Sequence, residues 1–228
     1  MRRALRALST VLIVSGLLLL ADAGITLAWQ EPVSAVYARL KQDDLEHDLR
    51  GLEQAQPTEL QLRALAQLRT ERRRIEFLAR ALRRRVRNGQ ALGRIKLKRI
   101  GASFVVVQGI DGTSLRKGPG HYPETPIPGL PGTVAIAGHR TTYLAPFRRI
   151  NDLRHGDSIV IEMPYGRFTY SVERTKIVAP TAYSVVKRVG YDRLVLTACH
   201  PLYSAAKRIV AFARLMSVEA RGAARVRG

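Results

Sequence analysis

The sequence predicts a mainly β domain, closed into a barrel or folded as a sandwich, behind an apolar N-terminus and a helical, basic segment. Three observations predict it. Short β-type runs separated by turn residues crowd the region after Arg94. Residues 30–92 carry apolar side chains at helical spacing and almost no strand signal. The first 29 residues hold one long apolar stretch.

The start MRRALR carries three arginines, and residues 7–29 follow with Asp22 as their only charge. A membrane span needs about 20 predominantly apolar residues. Arginines on the leading side place the N-terminus in the cytoplasm and the remainder outside, with Trp29 as an interfacial anchor. Residues 1–29 are therefore read as a cytoplasmic start and a transmembrane anchor. A cleavable signal peptide ending near Ala21-Asp22-Ala23 is the alternative. Both readings export the rest of the chain. The net charge of +20 and pI of about 11.2 call for a polyanionic neighbour. Export makes that neighbour a lipid or wall polymer and argues against nucleic acid.

Residues 30–92 are read as a helical, Arg-rich, extracytoplasmic spacer. One helix is expected from Val33 to about Gln54, and a second from Thr58, where Thr58 and Gln61 have capping-box spacing. Leu65, Leu68, Ile75, Ala79, Leu82 and Val86 form one seam along the second. Such a basic helix reads as a solvated spacer or short coiled coil, the sharper alternative being a stalk held against anionic lipid or wall polymer.

Asn88-Gly89 and Gly93 mark the change to β texture. The expected strands are 95–100, 103–108, 133–138, 157–163, 167–178, 194–199 and 208–215. The Pro/Gly-rich stretch KGPGHYPETPIPGLPG between the second and third is expected to be a long loop. Phe147, Ile150 and Leu153 read as core contacts of a short helix. Residues 93–216 form the folded domain, and about 125 residues suffice for a real core. Residues 217–228 are expected to be a disordered basic tail.

Cys199 is the only cysteine, so an internal disulfide and a cysteine-based zinc site are excluded. It ends the run LVLTAC, where alternation puts it on the face of Thr197 and turns His200 away. If the next run pairs antiparallel, Arg208 enters opposite Cys199. A thiol facing a guanidinium is poor core packing and suits a reactive site, because arginine favours the thiolate and can donate to an oxyanion. A free thiol is only a few per cent thiolate at neutral pH, so a base is needed. His139, at the end of the apolar run TVAIAG, ranks first by strand position, and His121 in the Pro/Gly loop second. His47 and His155 lie in a helix and a turn. The acidic residues are scattered, and no metal or cofactor is expected.

The segments GPGHYP, GHRTTYLAPF and LVLTACHPLYSAAKR, in this order, resemble the sortases, membrane-bound cysteine transpeptidases of Gram-positive surfaces. They look most like class E, with class D next. The resemblance implies an eight-stranded β-barrel in which Cys199 is the nucleophile, His139 the general acid/base and Arg208 the third catalytic residue. It further implies a thiol-protease-type acyltransferase whose partners are surface proteins with a C-terminal sorting signal and a peptidoglycan-precursor (lipid II-type) amine; the alternatives are a pilin-polymerising sortase and a catalytically weak module that binds sorting signals or wall polymer. Tyr143 lies where class E enzymes carry a tyrosine linked to LAXTG over LPXTG signals. His121, Thr197 and Ala198 are the remaining substrate-binding candidates. The family pattern T-L-x-T-C here reads Val195-Leu196-Thr197-Ala198-Cys199, and Leu144 replaces a common glycine.

Overall fold

The computed structural model describes residues 2–28 and 32–226, so the expected anchor Trp29 and the last two residues lie outside the described residues. Helix α1 (Arg2–Ala28) contains a 20-residue stretch, Leu5–Gly24, long and apolar enough to cross a membrane. Its Leu17, Leu18, Leu19 and Leu20 are all exposed, with no protein packed on them.

Helix α2 (Pro32–Gln54) runs along the barrel wall. Leu45 and Leu49, one turn apart, pack on Ala91, Val105 and Val107. Gln42 pins the same face, its amide donating to the carbonyls of Val105 and Lys117 and accepting from Val105 N–H. Glu46 pairs with Arg94 across this contact.

The second expected helix is two. Helix α3 (Glu59–Gln67) starts on the Thr58–Gln61 capping box, as the spacing predicts. A fresh cap then interrupts it: Thr70 Oγ1 accepts from Arg73 N–H and starts α4 (Glu71–Arg85). The seam does not face solvent or a coiled-coil partner. Ile75 and Ala79 are 4% and 0% exposed and enter the main core, with Leu78, Leu82 and Val86 against it. Full burial of a side chain such as Leu49 or Ile75 is worth roughly 1.5–3 kcal/mol. An exposed ion pair such as Lys41–Asp44 contributes about 0–1 kcal/mol. Apolar docking therefore decides where these helices sit, and the solvated-spacer reading of this segment is replaced by helices packed on the barrel.

The barrel strands are β1 (Ala91–Leu97), β2 (Ala102–Gln108), β3 (Gly120–His121), β4 (Thr133–Ala137), β5 (Ser158–Met163), β6 (Gly166–Val178), β7 (Arg193–His200) and β8 (Lys207–Ala220). They close in the order β1-β2-β3-β4-β7-β8-β6-β5. The β2–β3 and β4–β7 pairs are parallel. The first expected strand sits three residues late, because Lys98–Ile100 coil into a 3-10 turn that ends at Gly101 with φ 67°. The Pro/Gly stretch holds the two-residue β3, which bridges β2 and β4. Just before it lies the short helix α5 (Gly112–Lys117), capped by Asp111.

The interior is apolar along the inward positions of each strand, among them Ile95, Leu97, Ile136, Ile159, Ile161, Phe168, Leu194 and Leu196. Phe147, Ile150 and Leu153 complete it, at 0%, 0% and 5% exposed. The tail is a correction. β8 keeps pairing with β6 as far as Gly166–Ala220, and a 3-10 turn at Gly222–Ala224 then buries Ala224 in the main core. Basic composition suggested disorder, but small residues at 220, 223 and 224 let the chain tuck in beside α4.

Candidate active site

Strand pairing builds the site. Cys199 on β7 is paired directly with Arg208 on β8. Opposed residues of an antiparallel ladder project from the same face, about 5 Å apart at Cβ. On the other side, β4 runs parallel to β7 in register through Ala137–Thr197. Gly138 N–H then donates to Thr197 O at 3.0 Å. Two residues beyond Ala137, the register brings His139 level with Cys199. Cys199 and Arg208 are thus cross-strand neighbours on β7 and β8, and His139 follows the end of β4, the strand on the other side of β7.

Gly138 makes room for a side chain behind the histidine. A Cβ there would lie 2.5 Å from the Phe147 ring, so the glycine lets Phe147 close in behind His139. Phe147 N–H donates to His139 O at 3.0 Å, fixing the chain just past the strand.

Cys199 opens into a cleft of about 320 Å³ lined by Arg140, Thr141, Thr142, Pro201, Tyr203, Ser204 and Ala205. Tyr203 Oη accepts from Arg148 Nη2 at 3.3 Å. Arg208 is half-buried, and its Nη1 donates to the carbonyls of Ala205 and Lys207 at 2.9 and 3.0 Å. These two bonds involve one nitrogen of a five-donor guanidinium.

His139 is half-buried with the Tyr143 ring against it, centroids 5.3 Å apart. Burial, and secondarily the Arg116 charge, lower its pKa. Its neutral form therefore predominates at pH 7, ready to accept a proton. Arg116 also lies over the Tyr143 ring, 6.0 Å from its centroid.

Sequence reasoning missed Arg140. It is 4% exposed. Its Nη1 donates to Cys199 O at 3.3 Å and lies 3.4 Å from His200 Nδ1. Nε and Nη2 donate to Arg148 O, and Nη2 to Asn151 Oδ1 at 2.6 Å. It binds the backbone of the thiol-bearing residue to the loop after His139. The signal was present: alternation after His139 turns the next side chain inward, and an inward arginine needs a set of acceptors.

The other substrate-binding candidates need correction. His121 is 0% exposed and held by Gln108 Oε1, Thr125 Oγ1 and Pro126 O. It ties the Pro/Gly loop to β2 and cannot line a groove. Ala198 is 4% exposed with its methyl in the main core. Thr197 is on the Cys199 face, but it is 5% exposed and its hydroxyl meets Tyr122 Oη at 3.0 Å. Beside it Val195 belongs to an outer apolar cluster with Ala135, Val210 and Phe212. His200 faces Arg140, and His47 and His155 are exposed.

His121 makes a pH prediction. Burial pushes its pKa from 6.5 down to about 4. Between these values the unfolded chain takes up a proton that the folded chain refuses, so stability falls as pH drops through that window. The expected loss is roughly 3 kcal/mol from pH 7 to pH 4. Urea unfolding of His121→Gln should show a shallower acid limb than the wild type; equal slopes would contradict the assignment.

A family model for the sortase domain matches residues 95–216. Sortase D of Bacillus subtilis is 37% identical over 114 residues, covering 50% of this chain and 56% of that protein. Sortase SrtE1 of Streptomyces coelicolor is 28% identical over 144 residues, covering 56% of this chain and 41% of that protein. The chain thus spans about half the length of the curated relatives it matches. The solved structure of sortase E from Streptomyces avermitilis is 32% identical, with a TM-score of 0.54, covering 61% of this chain and 99% of the other. The chain belongs to the sortase family. That family consists of cysteine transpeptidases, enzymes that act on sorting-signal proteins and cell-wall precursors.

Proposed function

We propose that this chain is a membrane-anchored cysteine transpeptidase that cleaves a C-terminal sorting signal between Thr and Gly and transfers the protein to a cell-wall precursor amine. The observation that carries the reading is the register that flanks Cys199 with Arg208 on β8 and aligns it with His139 beyond β4. Cys199 is the nucleophile, His139 the general acid/base and Arg208 the oxyanion donor. The signal is LAXTG-like, with LPXTG as the alternative. Tyr143, against His139, supports the first. In this reading α1, whose stretch Leu5–Gly24 is long and apolar enough to cross a membrane, is the anchor, and the barrel lies outside the cell.

In the first half-reaction the Cys199 thiolate bonds to the threonine carbonyl carbon, and the carbonyl π pair moves onto oxygen. Arg208 donates to that oxyanion. The C–N bond to glycine then breaks, and the departing amine takes the proton of the His139 imidazolium. The threonine is left as a thioester on Cys199. In the second, an acceptor amine attacks the thioester carbonyl, neutral His139 takes the amine proton, and the C–S bond breaks. The low pKa of His139 suits this second role and makes the imidazolium of the first a minority species.

The test is intact-mass analysis of the full chain in detergent after mixing with LAXTG and LPXTG peptides. A mass increase equal to the peptide up to threonine, larger with LAXTG, is expected. No adduct with either peptide would contradict the reading, and an LPXTG preference would overturn the signal assignment alone.

A further inference from the structure

Helix α2 begins beside His139. Ser34 and Ala38, on one face of its first turns, are 7% and 1% exposed. Ser34 Oγ accepts from the backbone N–H of Tyr143 at 3.3 Å. Tyr37 meets the Tyr143 ring edge-on, with centroids 6.3 Å apart and planes at 76°. Tyr143 in turn lies against the imidazole of His139. A continuous contact therefore runs from α2 through Tyr143 to His139.

The backbone at the middle of this contact is strained. Tyr143, Leu144 and Ala145 have φ of 51°, 62° and 41°. Residues with a Cβ rarely enter the left-handed region, and three in succession persist only where their surroundings fix them. From within the loop, Ala145 N–H donates to Thr142 O at 2.8 Å, and Arg148 N–H donates to Ala145 O at 2.9 Å. From outside it, Ser34 and Tyr37 of α2 hold Tyr143, alongside the Arg116 guanidinium over its ring. They can do so because α2 is itself fixed to the barrel by Gln42, Leu45 and Leu49. Residues 32–54 are thus a rigid post whose tip presses on the loop that follows His139.

We propose that the first turn of α2 is a positioning element for the transpeptidation: Ser34 and Tyr37 hold the left-handed Tyr143–Ala145 turn and, through the Tyr143 ring, set the imidazole of His139. The proposal rests on His139 being the acid/base. Ser34 and Tyr37 are positioning residues and touch no reacting atom. The hold comes from the first turns of the helix that follows the proposed membrane span, so the site depends on a segment outside the barrel. A displacement of about 1 Å in a reacting group is enough to slow a reaction about 100-fold. Tyr143 also contributes to burying His139, and burial is the main cause of its lowered pKa. Loosening the turn therefore moves that pKa back up.

The test uses the full chain in detergent, as wild type, Ser34→Ala/Tyr37→Ala and Tyr37→Phe. Two readouts are compared: amide hydrogen exchange of residues 142–147, and turnover of the sorting peptide with its pH profile. In the double variant, exchange at 143–147 is expected to rise at least about tenfold, with kcat lower by roughly 10- to 100-fold and KM within about threefold. The limb of the pH profile governed by His139 moves to higher pH. Tyr37→Phe keeps the ring edge that meets Tyr143 and should stay within about twofold of wild type. Unchanged exchange at 143–147 in the double variant overturns the proposal whatever happens to turnover. Faster exchange with unchanged kcat and pH profile overturns it as well. A wild-type chain without turnover would sink the transpeptidase assignment, while the exchange comparison still decides whether α2 holds the turn.

Discussion

Arg140→Ala is expected to lower the unfolding free energy by roughly 3–5 kcal/mol and to remove detectable acylation of Cys199. The guanidinium is buried at the junction of two loops and β7. It supplies donors to Arg148 O, Asn151 Oδ1 and Cys199 O. Hydrogen bonds from a charged donor are each worth about 1.5–3 kcal/mol, and truncation leaves the partly buried carbonyls of Cys199 and Arg148 without this donor. The loss reaches the chemistry because one of those acceptors is the carbonyl of the nucleophile residue. Arg140→Lys keeps the charge and loses the planar fork that serves several acceptors at once, so it should recover only part of the stability. Denaturant unfolding with intact-mass acylation checks both effects. An alanine variant as stable and as readily acylated as wild type would show that Arg140 merely fills space.

His139→Ala is expected to reduce kcat/KM on a sorting peptide by about 100- to 10,000-fold, the range associated with loss of a positioned acid/base. Stability should change much less. The imidazole is half-buried at the rim, and its burial opposes the charged form. The variant should be acylated slowly, and the acyl-enzyme should also turn over slowly with an amine acceptor, because the same group serves both halves. Single-turnover acylation and thioester decay, followed separately by mass, distinguish these steps. A variant slowed in neither would remove His139 from the mechanism.

The strands and the pairing of Cys199 with Arg208 were legible because they depend on local periodicity and on strand ends. LVLTAC and RIVAFARL alternate clearly, and antiparallel pairing follows from their proximity. Their pairing sets Cys199 against Arg208. The position of His139 followed from the end of an apolar run. What stayed hidden depends on long-range partners. β3 is only two residues long and exists because β2 and β4 flank it, so no periodic pattern marks it. Ile75 and Ala79 reveal a seam but not the surface it meets, and many arginines beside them suggested water. His121 reads as a polar loop residue until Gln108, 13 positions earlier in the chain, is seen to meet its Nδ1. Arg140 was masked by the more conspicuous histidine before it. The strained turn at Tyr143–Ala145 has no sequence signal, because tyrosine, leucine and alanine do not ordinarily take that backbone shape.

The packing of α2 and α4 also bears on the basic charge. α4 turns Ile75 and Ala79 inward and leaves Arg72, Arg73, Arg80, Arg83, Arg84 and Arg85 exposed. This part of the basic charge is therefore displayed on a surface that apolar docking fixes to the barrel, rather than on a free stalk.

The central claim is that Cys199 takes the acyl group in a site completed by neighbouring strands. The most direct measurement is the mass of the full chain, wild type and Cys199→Ala, after reaction with a sorting peptide, with the modified residue located by proteolysis and fragmentation. A peptidyl adduct on Cys199 that an added amine removes is expected, with neither adduct nor peptide cleavage in Cys199→Ala. Cleavage that persists without this thiol, or an adduct on any other residue, would contradict it.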